Sequence, residues 1–70
     1  MIVSARNQFQ GKVVSITEGS VNSLVAIEIA PDTVIQAVIT KKAVEELGLA
    51  PGKEAYAIVK ASEVIVGVDH

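Results

Sequence analysis

Cysteine is absent from this chain, so no disulfide can staple it and no thiolate can bind a metal or attack a substrate. Histidine occurs once, as the terminal residue His70, where a frayed end is the expectation rather than a ligand or a base. Neither a Ser–His nor a His–carboxylate pairing can therefore form, and the eight acidic residues are scattered from Glu18 to Asp69. That pattern excludes the usual catalytic constellations, and an enzyme is not expected. Aromatic residues stop at Phe9 and Tyr56, and the net charge is −2 with a pI near 5.2. A nucleic-acid binder needs a basic footprint and usually stacking platforms, and this chain has neither. Its five glycines stand singly, which excludes a glycine-rich phosphate loop. No apolar run approaches the roughly 18 residues of a membrane-spanning helix, and residues 1–6 lack the apolar core of a secretory leader. A cytoplasmic protein free of membrane and nucleic acid is the resulting expectation.

What the chain has in abundance is aliphatic surface. Half of its 70 residues are hydrophobic, 20 of them Val or Ile, and the mean hydropathy is +0.48. Seventy residues make one domain, spanning 1–70, and a single core of that size rarely supplies more than about 3–5 kcal/mol. Without disulfides or metals, oligomerisation is the remaining route to stability, and a monomer this small cannot hide so much apolar surface. The composition predicts an obligate homo-oligomer.

Hydrophobic alternation predicts strands over 12–17, 21–30, 33–39, 54–60 and 63–68. In the second, Val25, Ile27 and Ile29 share one face and Glu28 lies on the other. Pro31-Asp32 reads as a turn, and Ala50-Pro51-Gly52-Lys53 as a type II turn with Gly at its third position. One helix is predicted over 40–47, capped by Thr40, ended by Gly48, with Val44 and Leu47 on one face. The fold class is all-β with one short helix: an OB-like five-stranded barrel, with a small open sheet completed by a second subunit as the alternative. Closure would hide the sheet edges.

Polar chemistry gathers in two short stretches near the chain ends, Ser4-Ala5-Arg6-Asn7-Gln8 and Lys60-Ala61-Ser62. Two hydroxyls, a guanidinium, an ammonium and main-chain N–H groups suit a site that surrounds a compact anion with donors. Each charge also has a plainer reading, Lys60 as a solvated strand end and Arg6 as a charge on a flexible terminus. Asn7, Gln8 and Asn22 read as ordinary turn or surface groups. The helix start carries Lys41 and Lys42 while Glu45 and Glu46 lie toward its end, the reverse of what the macrodipole favours. Those four residues are either i,i+4 surface pairs or the basic flank of a hydroxyl-capped helix start that attracts anions.

Taken in order, Ser4-Ala5-Arg6-Asn7-Gln8, Gly11-Lys12-Val13, Val44-Glu45-Glu46-Leu47-Gly48 with Pro51-Gly52, and Val59-Lys60-Ala61-Ser62 resemble the molbindin (Mop) family. Its single domains are of the TOBE type, found also in molybdate-responsive regulators and some transporter ATPases. The resemblance covers nearly the whole chain. It implies a small OB-like barrel assembled as a homohexamer, a trimer of dimers, that stores or buffers molybdate or the isostructural tungstate. Sites would lie between subunits and consist of donors alone. Carried onto this sequence, Ser4 and the main chain around Ala5 and Arg6 would come from one subunit. Thr40, the helix start at Ala43, Lys60 and Ala61-Ser62 would come from its neighbour. A second oxyanion position on a symmetry axis would fall at Ser20-Val21-Asn22. Some relatives carry Ser where this chain has Ala43, leaving the main-chain N–H as the donor there. The reading from a different class is a small β-barrel interaction module that docks a larger partner and binds no ion.

Overall fold

In the computed structural model, which describes residues 3–69, the chain runs β1 (Asn7–Glu18), β2 (Asn22–Ala30), β3 (Thr33–Thr40), α1 (Lys41–Leu47), β4 (Glu54–Val59). A 3₁₀ turn follows at Ala61–Glu63. The expectation for His70 lies outside the described residues. All ladders are antiparallel, in the order β3-β2-β1-β4. β1 is the spine, since Asn7–Lys12 pair with β4 while Lys12–Glu18 pair with β2, Lys12 belonging to both ladders.

That double duty bends the strand. The β1–β2 register slips between Val13 and Ser15, a bulge of the kind that raises local twist. At the bend, Val13 accepts from the Gly52 N–H (2.8 Å) and donates to the Lys53 carbonyl (2.9 Å), clamping the 50–53 turn to the spine. Just before it, a Cβ at Gly11 would overlap the main-chain carbonyl of Glu28, so only glycine lets the two backbones approach this closely.

The expected turns follow from local chemistry. Pro31-Asp32 joins β2 to β3 with Asp32 at φ +60°, a left-handed value that Asp tolerates better than most residues. Gly52 sits at φ +92°, and the Lys53 N–H closes the turn on the Ala50 carbonyl at 3.0 Å. Thr40 caps α1, its Oγ1 accepting from the Ala43 N–H at 3.0 Å. Gly48 ends the helix in the left-handed conformation, and the Leu49 N–H reaches the Val44 carbonyl at 3.0 Å. This closure makes Leu49, not the expected Leu47, the partner of Val44: Leu49 packs on the core while Leu47 stays 67% exposed.

Val13, Val25, Ile27, Val44 and Ala57 form the core, with Ile16, Ile29, Ile35 and Ile39 packed against it. The sheet curls so that the β3 and β4 edges face one cleft, lined by Ile35, Ala37 and Ile39 on one side and Tyr56, Ile58 and Lys60 on the other. No strand among the described residues closes it. The expected fifth strand over 63–68 is therefore corrected: among the described residues the sheet has four strands and is a half-barrel. After the 3₁₀ turn, 64–69 are in no ladder, and Ile65, Val66 and Val68 are 93%, 85% and 81% exposed. The alternation there is strand-like, but a strand exists only where another strand accepts its hydrogen bonds, and 61–63 fold as a 3₁₀ turn instead of continuing the β4 ladder. The first strand is longer than its alternation suggests, because Asn7–Gly11 become strand only by pairing with β4.

Candidate functional site

Two groups of the anticipated donors emerge, at opposite ends of β1. At the first end the β1–β4 ladder stops at Asn7↔Val59, and the chain leaves it in both directions. Arg6, Ala5 and Ser4 run off one strand, and Lys60, Ala61 and Ser62 off the other. Ser4, Arg6, Lys60, Ala61 and Ser62 are exposed, and Ala5 is half-buried. The 3₁₀ turn begins at Lys60, whose carbonyl accepts from the Glu63 N–H at 2.9 Å. The N–H groups of Ala61 and Ser62 open this turn and, among the described residues, have no acceptor. Nor does Arg6 or Lys60 form an ion pair among the described residues. Glu63 shares the cleft wall with Lys60 and adds one carboxylate to an otherwise donor-rich end.

At the second end Thr40 pairs with Asn22, and the Lys41 N–H donates to the Val21 carbonyl at 2.8 Å. Thr40, Ala43 and the Ser20-Val21-Asn22 turn are thus neighbours. The Gly19 N–H closes that turn on the Asn22 carbonyl at 2.8 Å. The cap engages the Ala43 N–H and the Thr40 lone pair with each other, which leaves the Thr40 hydroxyl hydrogen as the outward donor. Of the two anticipated helix pairs, Lys42–Glu46 forms at 3.8 Å between largely exposed side chains, so it contributes little, and Lys41–Glu45 does not form.

The chain brings Lys60–Ser62 together with Ser4–Arg6, and Thr40 and Ala43 together with Ser20–Asn22. No strand pairing or hydrogen bond among the described residues joins Thr40 to Lys60. At roughly 3.3 Å per residue, the β1 strand separates the two groups by about 35 Å of chain. Asn7 and Gln8, which read in the sequence as ordinary turn or surface groups, each hold a main-chain carbonyl. The Asn7 Nδ2 donates to the Val59 carbonyl at 3.2 Å, and the Gln8 Nε2 to the Ala5 carbonyl at 3.1 Å. The first joins residues 52 positions apart, which no local signal announces.

No group of three His, Cys, Asp or Glu side chains able to hold a metal ion occurs among the described residues. No helix among the described residues is long and apolar enough to cross a membrane. What the first end offers is cationic and N–H donor chemistry at a solvent-open surface.

Similarity to known proteins agrees with that chemistry. Residues 3–66 match the TOBE domain family. The chain is 55% identical over 69 residues to a probable molybdenum-pterin-binding protein of Haemophilus influenzae, covering 99% of this chain and all of that one. Its structure superposes on MopII of Clostridium pasteurianum with a TM-score of 0.89 at 42% identity, over 96% of this chain and 100% of MopII. It also superposes on the cytoplasmic molybdate-binding protein ModG with a TM-score of 0.93 at 46% identity, covering 99% of this chain but 49% of ModG. An acidic, cysteine-free half-barrel with donors gathered at both ends of its spine, matched along almost its whole length, belongs to the TOBE domain family, in the company of the molybdenum-pterin-binding proteins.

Proposed function

We propose that this protein binds molybdate, or the isostructural tungstate, at sites completed between copies of the chain, and stores or buffers the ion in the cytoplasm. The observation that carries this reading is the pairing of two exposed donor segments, 4–6 and 60–62, at one end of the β1–β4 ladder, with both cations outside any ion pair among the described residues. Relatives named for molybdenum, and a molybdate-binding protein among the structural neighbours, support the same ligand. Molybdate is a tetrahedral dianion whose hydration must be replaced by charge and donors. Ser4 and Ser62 hydroxyls, the Ala61 and Ser62 N–H groups and the Lys60 ammonium supply them, and charge-assisted bonds are about twice as strong as neutral ones.

A shared site fits the topology: Thr40 lies at the other end of β1 from Lys60, and another copy can bring its hydroxyl to the Lys60 end, whereas the Ala43 N–H, engaged by the Thr40 cap, is not a free donor. The same chain carries an open apolar cleft between β3 and β4 and a free apolar extended arm, Val64–Val68. Each supplies what the other lacks, which supports a homo-oligomer over a lone subunit; the hexamer built from dimers is what the family resemblance adds. Ligand and assembly would then stabilise one another by mass action.

Calorimetric titration with sodium molybdate, with sulfate as control, tests the reading. Saturable binding with preference for molybdate is expected, and Lys60→Ala should weaken it about 10- to 100-fold, the worth of one charged hydrogen bond. Equal affinity in Lys60→Ala and wild type would sink this assignment of the site.

A further inference from the structure

We propose that Asn7 and Gln8 are positioning residues that hold the two donor segments in register, a role that rests on the molybdate reading of that end. Beyond Asn7↔Val59 neither strand has a ladder partner. The segments that carry Ser4 and Lys60 leave the sheet there with no main-chain hydrogen bond between them among the described residues. Two side-chain amides take over at that point. The half-buried Asn7 reaches across to the Val59 carbonyl (3.2 Å), fixing the residue from which Lys60 departs. Gln8 reaches back along its own strand to the Ala5 carbonyl (3.1 Å), fixing the residue that follows Ser4.

Only four hydrogen bonds involving a side chain occur among the described residues, and these two come from adjacent residues. Asn7 and Gln8 point to opposite faces of the strand, as neighbours in a strand must. One amide therefore serves the cross-strand segment and the other the local one. An anion held by groups from both segments is sensitive to their separation, because a donor displaced by about 1 Å no longer makes its bond. Neither amide needs to touch the ion. Each acts through the carbonyl it holds, on Lys60 in one case and on Ser4 in the other.

The test titrates the full-length wild type, Asn7→Ala, Gln8→Ala and Asn7→Gln with sodium molybdate by calorimetry. Melting and sedimentation of each ligand-free protein run alongside. Asn7→Ala is expected to lose roughly tenfold in affinity and Gln8→Ala a few-fold, with assembly mass unchanged. Asn7→Gln, which keeps a donor amide with one more methylene, is expected to recover most of the loss. A purely structural role would lower the ligand-free melting midpoint while leaving the affinity of the folded protein intact, and that outcome overturns the proposal. Should Asn7→Ala fail to fold, Gln8→Ala decides, because its bond is local and exposed. Wild-type protein that ignores molybdate refutes the ligand reading itself. Wild-type binding with unchanged affinity in both alanine variants refutes the positioning role alone.

Discussion

Replacing Val66 with Ser is the perturbation that bears most directly on assembly. In an extended arm Val64, Val66 and Val68 share one face, and Val66 is 85% exposed in the isolated chain. The β3–β4 cleft presents Val25, Ile27, Ala37, Ile39, Tyr56 and Ile58, an apolar wall with no strand of its own over it. If a second copy lays its arm there, Val66 passes from nearly full exposure to burial, worth at least about 1.5 kcal/mol. Mutual exchange counts that twice per pair, so Val66→Ser removes about 3 kcal/mol and raises the dissociation constant roughly a hundredfold. Val66→Pro separates strand addition from simple apolar contact: it keeps aliphatic area but deletes an N–H that a ladder needs. It should weaken association at least as much. Sedimentation velocity over a dilution series reads both constants. Unchanged association in the two variants, or a wild type that stays monomeric at every concentration, would refute the reasoning.

Two further substitutions probe the spine and the core. Gly11→Ala forces a methyl group against the Glu28 carbonyl and, at 3.0 Å, the Ile27 Cγ2; backbone must move, and a loss of about 1–3 kcal/mol in urea unfolding is expected. Full retention of stability would show that β1 and β2 can separate there at no expense. Ser23 is 2% exposed, and its Oγ has no hydrogen-bond partner among the described residues, so Ser23→Ala removes an unsatisfied buried group. The melting midpoint should rise by several degrees, corresponding to about 1 kcal/mol in a domain of this size; a fall would mean that the hydroxyl is satisfied in solution.

Features governed by adjacent residues were legible in the sequence. Thr40 capping α1, Gly48 and Gly52 in left-handed conformations and Asp32 in the β2–β3 turn each follow from a few neighbouring side chains. Asn7–Gly11 were not legible, because Asn-Gln-Phe-Gln-Gly has little strand character of its own and owes its conformation to β4. The 63–68 segment failed in the opposite sense: its alternation is genuine, but the strand that would receive it is not in this chain's sheet. The candidate donors stand in the sequence as two polar stretches near the chain ends. Their grouping needed the register, since only Asn7↔Val59 and Asn22↔Thr40 reveal which donors are neighbours.

The dual pairing of β1 also orders events in time. The β1–β2 hairpin joins residues as near as Glu18 and Ser23, whereas the β1–β4 ladder begins with Lys12 and Glu54, 42 positions apart. By loop-closure entropy the second pairing starts roughly 2 kcal/mol behind the first. The three-stranded meander can therefore nucleate from contacts close in sequence, and β4 docks onto a spine already half formed. The end carrying Ser4 and Lys60 is thus expected to take shape after the meander as the chain folds.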